Sequence, residues 1–251
     1  MQLGPKLTEG KTKIVYAHPE DRELVVLFHK DGITAGDGAR RNEIPGKGEL
    51  AGRTTANVFR LLGAAGIATH FVAAPEPALT VVRRCTMIPL EVVTRRLATG
   101  SYLRRNPEIA EGTRFEPPLV EFFLKDDAAH DPLISVPEII ARNLATAAEV
   151  EQMIAVARRA FAAIEQAWAA QDVTLADLKI EFGRGAAAEL LVADVIDNDS
   201  WRIWPAGDKS RMLDKQVYRD ATAVDDALLA DIYARYELVA ELTDAFGRPE
   251  A

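Results

Sequence analysis

The sequence predicts an α+β fold with two lobes that share a cleft. The chain has 251 residues, which is enough for one large domain or for two small lobes. Strand-like segments come first along the chain, and helical and strand patterns are mixed after them, an order typical of α+β proteins. Hydrophobic residues make up 48% and charged residues 27% of the chain, the balance of an ordinary globular protein.

The first half of the chain predicts a hairpin, a loop, a helix and several strands. Residues 12–17 and 23–28 are rich in β-branched and large apolar side chains and predict an antiparallel hairpin. Residues 31–48 contain five glycines and little periodicity, which predicts a loop, and residues 50–63 have helical spacing. Strands are predicted at 67–73, 79–82 and 87–94; Pro89 within the last indicates a sheet edge or a bend between lobes.

The second half contains the clearest helical pattern, at residues 137–170. Residues 177–182 and 189–196 predict short strands, separated by Gly183-Arg184-Gly185. Residues 224–246 predict a final amphipathic helix.

Charge and cysteine content argue against several classes of function. The formal net charge is −8, so the chain as a whole gains little attraction to nucleic acid. The single cysteine, Cys85, excludes an intrachain disulfide and a cysteine metal cluster. No apolar run approaches the ~20 residues of a membrane span, and the N-terminus has no signal-peptide pattern. We therefore expect a cytoplasmic protein with no membrane partner, and homo-oligomer formation is left open.

The segment from Asp177 to Phe182 alternates charged and apolar residues. On a strand, Asp177, Lys179 and Glu181 would share one face. Charged groups in this arrangement suit a hard cation beside an anionic substrate. A salt-bridged edge strand exposed to solvent would show the same alternation.

Asp194 follows an apolar run and would meet Glu181 across a hairpin. Two carboxylates on adjacent strands are a common magnesium clamp in phosphoryl-transfer sites. A turn-capping aspartate is the alternative interpretation of Asp194.

Two further segments carry groups that suit phosphate. Lys11 and Lys13 follow Gly10 and would share one face of a strand, although exposed surface lysines would give the same pattern. Arg95 precedes a Thr-Gly-Ser turn that ends at Ser101, so a guanidinium, a hydroxyl and turn amides converge there.

Taken in series, these motifs resemble the SAICAR synthetase family of purine biosynthesis. The resemblance covers nearly the whole chain, in order. It runs through Glu9–Lys13, Thr34–Arg40, Pro89–Ser101, Lys125–Asp127 with His130–Pro132, Asp177–Gly183 and Asp194–Trp204.

The resemblance implies a two-lobed, antiparallel fold, distantly similar to kinases and ATP-grasp enzymes, with ATP in the cleft. Residues 1–88 would form the nucleotide-covering lobe, and residues 89–251 the substrate and magnesium lobe. The implied reaction uses ATP and Mg²⁺ to activate the carboxylate of the ribotide CAIR, which then accepts L-aspartate to give SAICAR.

The resemblance also implies roles for individual residues. Those at the nucleotide and metal end are Lys11, Lys13 and Lys125 for the ATP phosphates, Met87 to Glu91 for adenine, and Glu181 and Asp194 for Mg²⁺. Those at the substrate end are Asp177 and Lys179 facing CAIR, Arg95, Ser101 and Arg202 for its phosphate, Asp199 for a ribose hydroxyl, and Lys215 and Arg219 as further contacts. Lys13, Asp177 and Lys179 are the expected catalytic residues.

The chain departs from the pattern of many bacterial members of the family. They read Asp-Glu-x-Ser-Pro-Asp-x-x-Arg where this chain runs from Asp194 to Arg202, so Val195 supplies no second carboxylate. This version resembles the synthetase part of the bifunctional animal enzyme, and we expect synthetase activity only. A kinase-like phosphotransferase and a non-catalytic nucleotide-binding module are the alternatives; the first would not consume aspartate.

Overall fold

The structure is a computed structural model that describes residues 1–36 and 39–246. Its strands are β1 (Lys6–Glu9), β2 (Lys13–Ala17), β3 (Leu24–His29), β4 (Gly32–Ala35), β5 (Arg40–Glu43), β6 (Phe71–Glu76), β7 (Leu79–Arg83), β8 (Thr86–Leu97), β9 (Arg114–Leu124), β10 (Leu133–Ile134), β11 (Val173–Arg184), β12 (Leu190–Ala193) and β13 (Trp201–Pro205). Its helices are α1 (Lys47–Ala64), α2 (Ser101–Arg105), α3 (Val136–Ala141), α4 (Ala147–Ala169), α5 (Gln216–Asp220) and α6 (Asp226–Thr243).

Two antiparallel sheets dominate the fold. The first sheet has the order β1-β2-β3-β7-β6, and the second has the order β10-β9-β8-β11-β12, with β13 also paired to β11. The predicted hairpin at 12–17 and 23–28 is confirmed as β2 and β3, which pair from Lys13–His29 to Ala17–Val25. The mixture of helices and antiparallel sheets confirms the predicted α+β class.

The apolar face of β11 forms the centre of the main core. Leu178, Ile180 and Phe182 are each 1% exposed and belong to the same buried cluster as Phe161 and Trp168 of α4. The predicted alternation is therefore confirmed. The edge-strand interpretation is wrong, because β11 lies between β8 and β12 in the second sheet.

The long helix predicted at 137–170 is divided into α3 and α4. Ser135 and Thr146 each begin a helix with a capping box, in which the hydroxyl accepts a backbone N–H and a glutamate three residues later accepts in return. Between the helices Asn143 has φ of 54°, a left-handed conformation that no α-helix accommodates. The hydrophobic period continues across this break, which is why it predicted one helix.

Three other local predictions need correction. Residues 31–48 are not all loop, because β4 pairs with β5 and α1 begins at Lys47. The sheet-edge interpretation of Pro89 is wrong, because Pro89 lies inside β8, an interior strand, at an irregularity between the Glu181–Glu91 and Gly183–Met87 pairs; the missing N–H is tolerated at such a bulge. Lys11 precedes β2 in a turn, so it does not share a strand face with Lys13.

The two sheets are joined through β12. The Val192 N–H donates to the Ala68 carbonyl and the His70 N–H donates to the Val192 carbonyl, both at 3.0 Å. Thr69 and Val192 form a parallel bridge. Val195, just beyond β12, packs against an apolar cluster of Val25, Leu27 and Val82 from the first sheet. A carboxylate at position 195 would enter this apolar contact, which accounts for the valine.

Among the described residues, no helix combines the length and apolar character that a membrane crossing requires.

Candidate active site

The arginine cluster consists of Arg95, Ser101, Asp177 and Arg202, and lies on the polar face of the second sheet. The guanidinium of Arg95 donates to Asp177 Oδ2 at 2.7 Å and to Ser101 Oγ at 3.2 Å. Arg202 donates to the same Asp177 oxygen at 2.6 Å. Three strands and the start of α2 thus bring two guanidinium groups and a hydroxyl together around one carboxylate, the donor set that suits a monoester phosphate.

Gly100 determines how closely Arg202 approaches the start of α2. It has φ of 57°, and a Cβ at this position would lie 2.5 Å from Arg202 Nη2 and 2.7 Å from Cζ. Only glycine meets both the backbone and the steric requirement. The Arg202 guanidinium therefore packs directly against the backbone of the Thr-Gly-Ser turn.

The lysine–acid cluster lies further along β11 and comprises Lys13, Glu91, Lys125, Lys179, Glu181 and Asp194. Glu181 is 2% exposed and accepts from Lys125 at 2.7 Å and from Lys179 at 3.0 Å, one lysine on each oxygen. Lys179 also lies 3.3 Å from Glu91. Lys13 donates to Asp194. Lysines from the first and the second sheet therefore meet at the two predicted metal-binding carboxylates.

Electrostatics keep this cluster charged despite its burial. Burial alone would raise the pKa of Asp194, but Lys13 and Lys179 hold it well below its usual value. Burial would lower the pKa of Lys179, yet Glu181 and Glu91 raise it well above the usual lysine value. Asp194 also has φ of 66°, a strained conformation for a non-glycine residue and one found preferentially at functional sites.

The lysine–acid cluster fits a magnesium ion that is shared with phosphate. Glu181 pairs with Ala193 across the β11–β12 hairpin, so the carboxylates of Glu181 and Asp194 come from neighbouring positions. Mg²⁺ is bound in such sites by one or two carboxylates together with substrate phosphates and water. Among the described residues there is no group of three or more acidic, histidine or cysteine side chains that would hold a metal by itself.

Asp199 and Lys215 form a third group. Lys215 donates to Asp199 Oδ2 at 2.6 Å, and the Tyr236 hydroxyl donates to Asp199 Oδ1 at 3.1 Å. Burial would raise the pKa of Asp199, but Lys215 and Lys47 lower it to about 2. Arg219 is exposed on α5 and also lowers this pKa.

The groups are connected through β11. Asp177 and Glu181 are four residues apart on one strand face, a separation of about 13 Å between their Cα atoms, with Lys179 between them. The Lys179 N–H donates to the Ser200 carbonyl at 2.6 Å, which links β11 to the turn that carries Asp199. The spacing suits a substrate with a phosphate at one end and a reacting group at the other.

The remaining residues predicted for the nucleotide differ in exposure. Met87 is 40% exposed at the start of β8, and Lys11 is exposed before β2. Glu91 contacts Lys179, inside the lysine–acid cluster.

Sequence reasoning missed three residues that hydrogen-bond to predicted ones, Glu121, Gln216 and Tyr236, and it also missed Lys47, whose ammonium faces the Tyr236 ring. Glu121 accepts from Arg95 Nε at 2.7 Å, and Gln216 accepts from Arg202 at 3.3 Å. An isolated acid in the apolar run from Leu119 to Leu124 was an available signal for Glu121. Nothing in the local sequence marks Tyr236, which lies on α6 among other apolar residues.

Comparison with known proteins supports one family. The SAICAR synthetase family model matches residues 6–231. The phosphoribosylaminoimidazole-succinocarboxamide synthase of Chloroflexus aurantiacus is 73% identical over 247 residues, covering 98% of this chain and 99% of the relative. The multifunctional protein ADE2 of Gallus gallus is 44% identical over 96% of this chain and 58% of its own, which agrees with the resemblance to the animal enzyme.

Solved structures agree. The phosphoribosylaminoimidazole-succinocarboxamide synthase of Ehrlichia chaffeensis is 30% identical with a TM-score of 0.86, covering 98% of this chain and all of the other. A SAICAR synthetase in complex with ADP is 30% identical with a TM-score of 0.85, covering 97% of this chain and 99% of the other. Together with the two clusters on β11, these matches show that the chain belongs to the SAICAR synthetase family.

Proposed function

We propose that the polar face of the second sheet is where this chain, as a member of the SAICAR synthetase family, joins L-aspartate to the carboxylate of CAIR. The reaction consumes ATP and yields SAICAR, ADP and phosphate. The observation that supports this siting is the pairing of two different anion-binding clusters along β11. One has arginines and a hydroxyl, and the other has lysines around two carboxylates.

The arginine cluster is proposed to hold the 5′-phosphate of CAIR. A phosphate oxygen beside Ser101 would accept hydrogen bonds from that hydroxyl, from Arg95 and from Arg202. Asp177 bridges the two guanidinium groups, so the site is preorganised. Asp199 is proposed to accept a ribose hydroxyl on a lone pair that Lys215 and Tyr236 leave unused.

The lysine–acid cluster is proposed to bind the ATP phosphates and the reacting carboxylate. A CAIR carboxylate oxygen attacks the γ-phosphorus, the bond to the ADP oxygen breaks, and an acyl phosphate forms. The amine of L-aspartate then attacks the carbonyl carbon, phosphate leaves, and the nitrogen loses a proton. Lys13 and Lys179 would neutralise the phosphoryl oxygens during transfer, while Asp177 holds the ribotide end.

Glu181 and Asp194 are the proposed magnesium ligands, alongside phosphate oxygens. When bound, Mg²⁺ supplies charge neutralisation at the transferring phosphoryl group. Lys125 and Lys179 would then exchange part of their contact with Glu181 for contacts with phosphate. Lys11 is proposed to reach the nucleotide phosphates, and Met87 with Glu91 to border the adenine.

The lobe assignment is also a proposal, with residues 1–88 covering the nucleotide and residues 89–251 carrying the substrate. Lys215 and Arg219 are proposed as further substrate contacts. The cytoplasmic location stays a prediction from the sequence.

The direct test is a reconstituted assay. Purified protein with ATP, Mg²⁺, CAIR and L-aspartate should release ADP and form SAICAR in equal amounts. Leaving out each substrate in turn is the control. ADP release that continues without aspartate, with a phosphorylated product, would favour the kinase-like alternative. Nucleotide binding with no turnover would favour the binding module.

A further inference from the structure

Lys47, the first residue of α1, is buried, and none of the described residues gives it an anionic partner in contact. It is 2% exposed, and its ammonium lies 5.1 Å from the centre of the Tyr236 ring. Within residues 1–36 and 39–246, no carboxylate lies within ion-pairing distance of this ammonium. A buried, charged lysine is costly unless nearby groups of opposite charge offset its desolvation.

The compensating charge comes from the turn at residues 197–199. Asp197 is 4% exposed, and its Oδ1 accepts the Asp199 N–H at 2.9 Å, so two carboxylates share one buried turn. Burial and the charge of Asp199 raise the pKa of Asp197 above its usual value, although Lys47 and Lys215 oppose this rise. Lys215 contacts Asp199 directly, and Lys47 is the other lysine whose charge acts on both acids.

The start of α1 is held rigidly where it presents Lys47. The Asp31 carboxylate accepts the Gly46 N–H at 3.1 Å and the Gly48 N–H at 2.9 Å. A Cβ on Gly48 would lie 2.4 Å from the His29 carbonyl oxygen, and one on Gly52 would lie 2.2 Å from the Pro77 oxygen. The helix therefore packs directly against β3 and the β6–β7 turn, and its lysine is preorganised.

We propose that Lys47 is a positioning residue for the ribotide, and that it acts through Tyr236 on Asp199. The ammonium faces the tyrosine ring, and the hydroxyl of that ring donates to Asp199 Oδ1. A cation on the ring face strengthens the phenol as a hydrogen-bond donor and fixes the ring by attraction to its π-electrons. This inference rests on the proposed function, in which Asp199 contacts the ribose.

The test compares Lys47→Met, which keeps length and apolar volume without charge, with Lys47→Arg, which keeps the charge. Lys47→Met should raise KM for CAIR on the order of tenfold, with KM for ATP nearly unchanged. The variant loses a buried cation–π contact and the attraction of the ammonium to the nearby carboxylates, which together are worth about 1.4 kcal/mol. Lys47→Arg should restore most of the affinity. Tyr236→Phe should raise KM for CAIR in the same selective way, which keeps the test valid if Lys47→Met does not fold.

Lys6→Met is the matched control, because Lys6 is an exposed lysine on β1 paired with Glu9. It should leave every kinetic constant as in the wild type. The proposal is overturned if Lys47→Met raises KM for L-aspartate alone, which would make Lys47 a direct aspartate contact. Equal effects on CAIR and ATP, together with a lower Tm, would also overturn it, since they indicate a structural role only. A wild-type protein that forms no SAICAR would instead refute the proposed function.

Discussion

Replacing Gly100 with alanine tests the arginine cluster at its most constrained point. The new Cβ would lie 2.5 Å from Arg202 Nη2, closer than non-bonded atoms approach, so the guanidinium must move. Arg202 would then lose its 2.6 Å contact with Asp177 and its 3.3 Å contact with Gln216. A charge-assisted hydrogen bond is worth about 2 kcal/mol, which corresponds to roughly 30-fold in affinity.

We therefore expect Gly100→Ala to raise KM for CAIR roughly 30-fold. KM for ATP should change little, because the lysine–acid cluster does not include Arg202. Left-handed backbone strain would also lower the unfolding free energy by about 1–3 kcal/mol. Steady-state kinetics with each substrate varied in turn, and urea unfolding, measure the two effects separately.

Gly112→Ala provides the matched control. Gly112 has φ of 80°, so alanine there introduces comparable backbone strain, but a Cβ would meet no atom of residues 1–36 and 39–246 within 4 Å. This variant should lose stability without a selective rise in KM for CAIR. If both variants raise KM for CAIR equally, backbone strain and not the displacement of Arg202 is the cause, and our reasoning fails.

Three further predictions follow from individual contacts. Ser101→Ala should raise KM for CAIR about 3- to 10-fold, the value of one hydroxyl hydrogen bond, and an effect on ATP instead would mean that the two phosphate sites are exchanged. Glu181→Gln should raise the Mg²⁺ concentration for half-maximal turnover on the order of tenfold, and an unchanged magnesium titration would remove Glu181 from the metal site. His29 is buried with its ring bonded to Thr80, and burial followed by Lys13 lowers its pKa from 6.5 to about 3. As the pH falls below 6.5, His29 therefore binds a proton in the unfolded chain but not in the folded chain. The free energy of unfolding decreases as a result. Between pH 8 and pH 5 this loss should be about 2 kcal/mol, and urea unfolding of His29→Gln should lack that component; an identical pH dependence in both proteins would contradict it.

Local sequence pattern predicted the parts of the site that lie on one strand. Asp177, Lys179 and Glu181 share a face because side chains alternate along any strand, and this holds whatever the neighbours are. The motif from Arg95 to Ser101 indicated a phosphate site, the resemblance to the family added Arg202, and the structure brings these three together.

The parts that sequence did not predict depend on contacts between distant segments. Tyr236 and Asp199 are 37 residues apart, and α6 carries the tyrosine with no local sign of a polar partner. Lys47 was assigned to a loop because glycines surround it, whereas those glycines allow close packing of α1 on β3. The preference of proline for edge strands predicted a sheet edge at Pro89, but a bulge inside β8 accommodates this residue.

The parallel pairing of Thr69 with Val192 determines which strand edges would be exposed if the chain were cut into two fragments. β12 is flanked by β11 on one side and by residues 68–70 on the other, so it is not a free edge. A chain opened between Arg83 and Thr86 gives two pieces, each exposing a strand edge that matches the other. Edges of this kind recognise one another by strand addition. Such fragments should reassemble when co-expressed, so that enzymatic activity would report whether the two pieces have met.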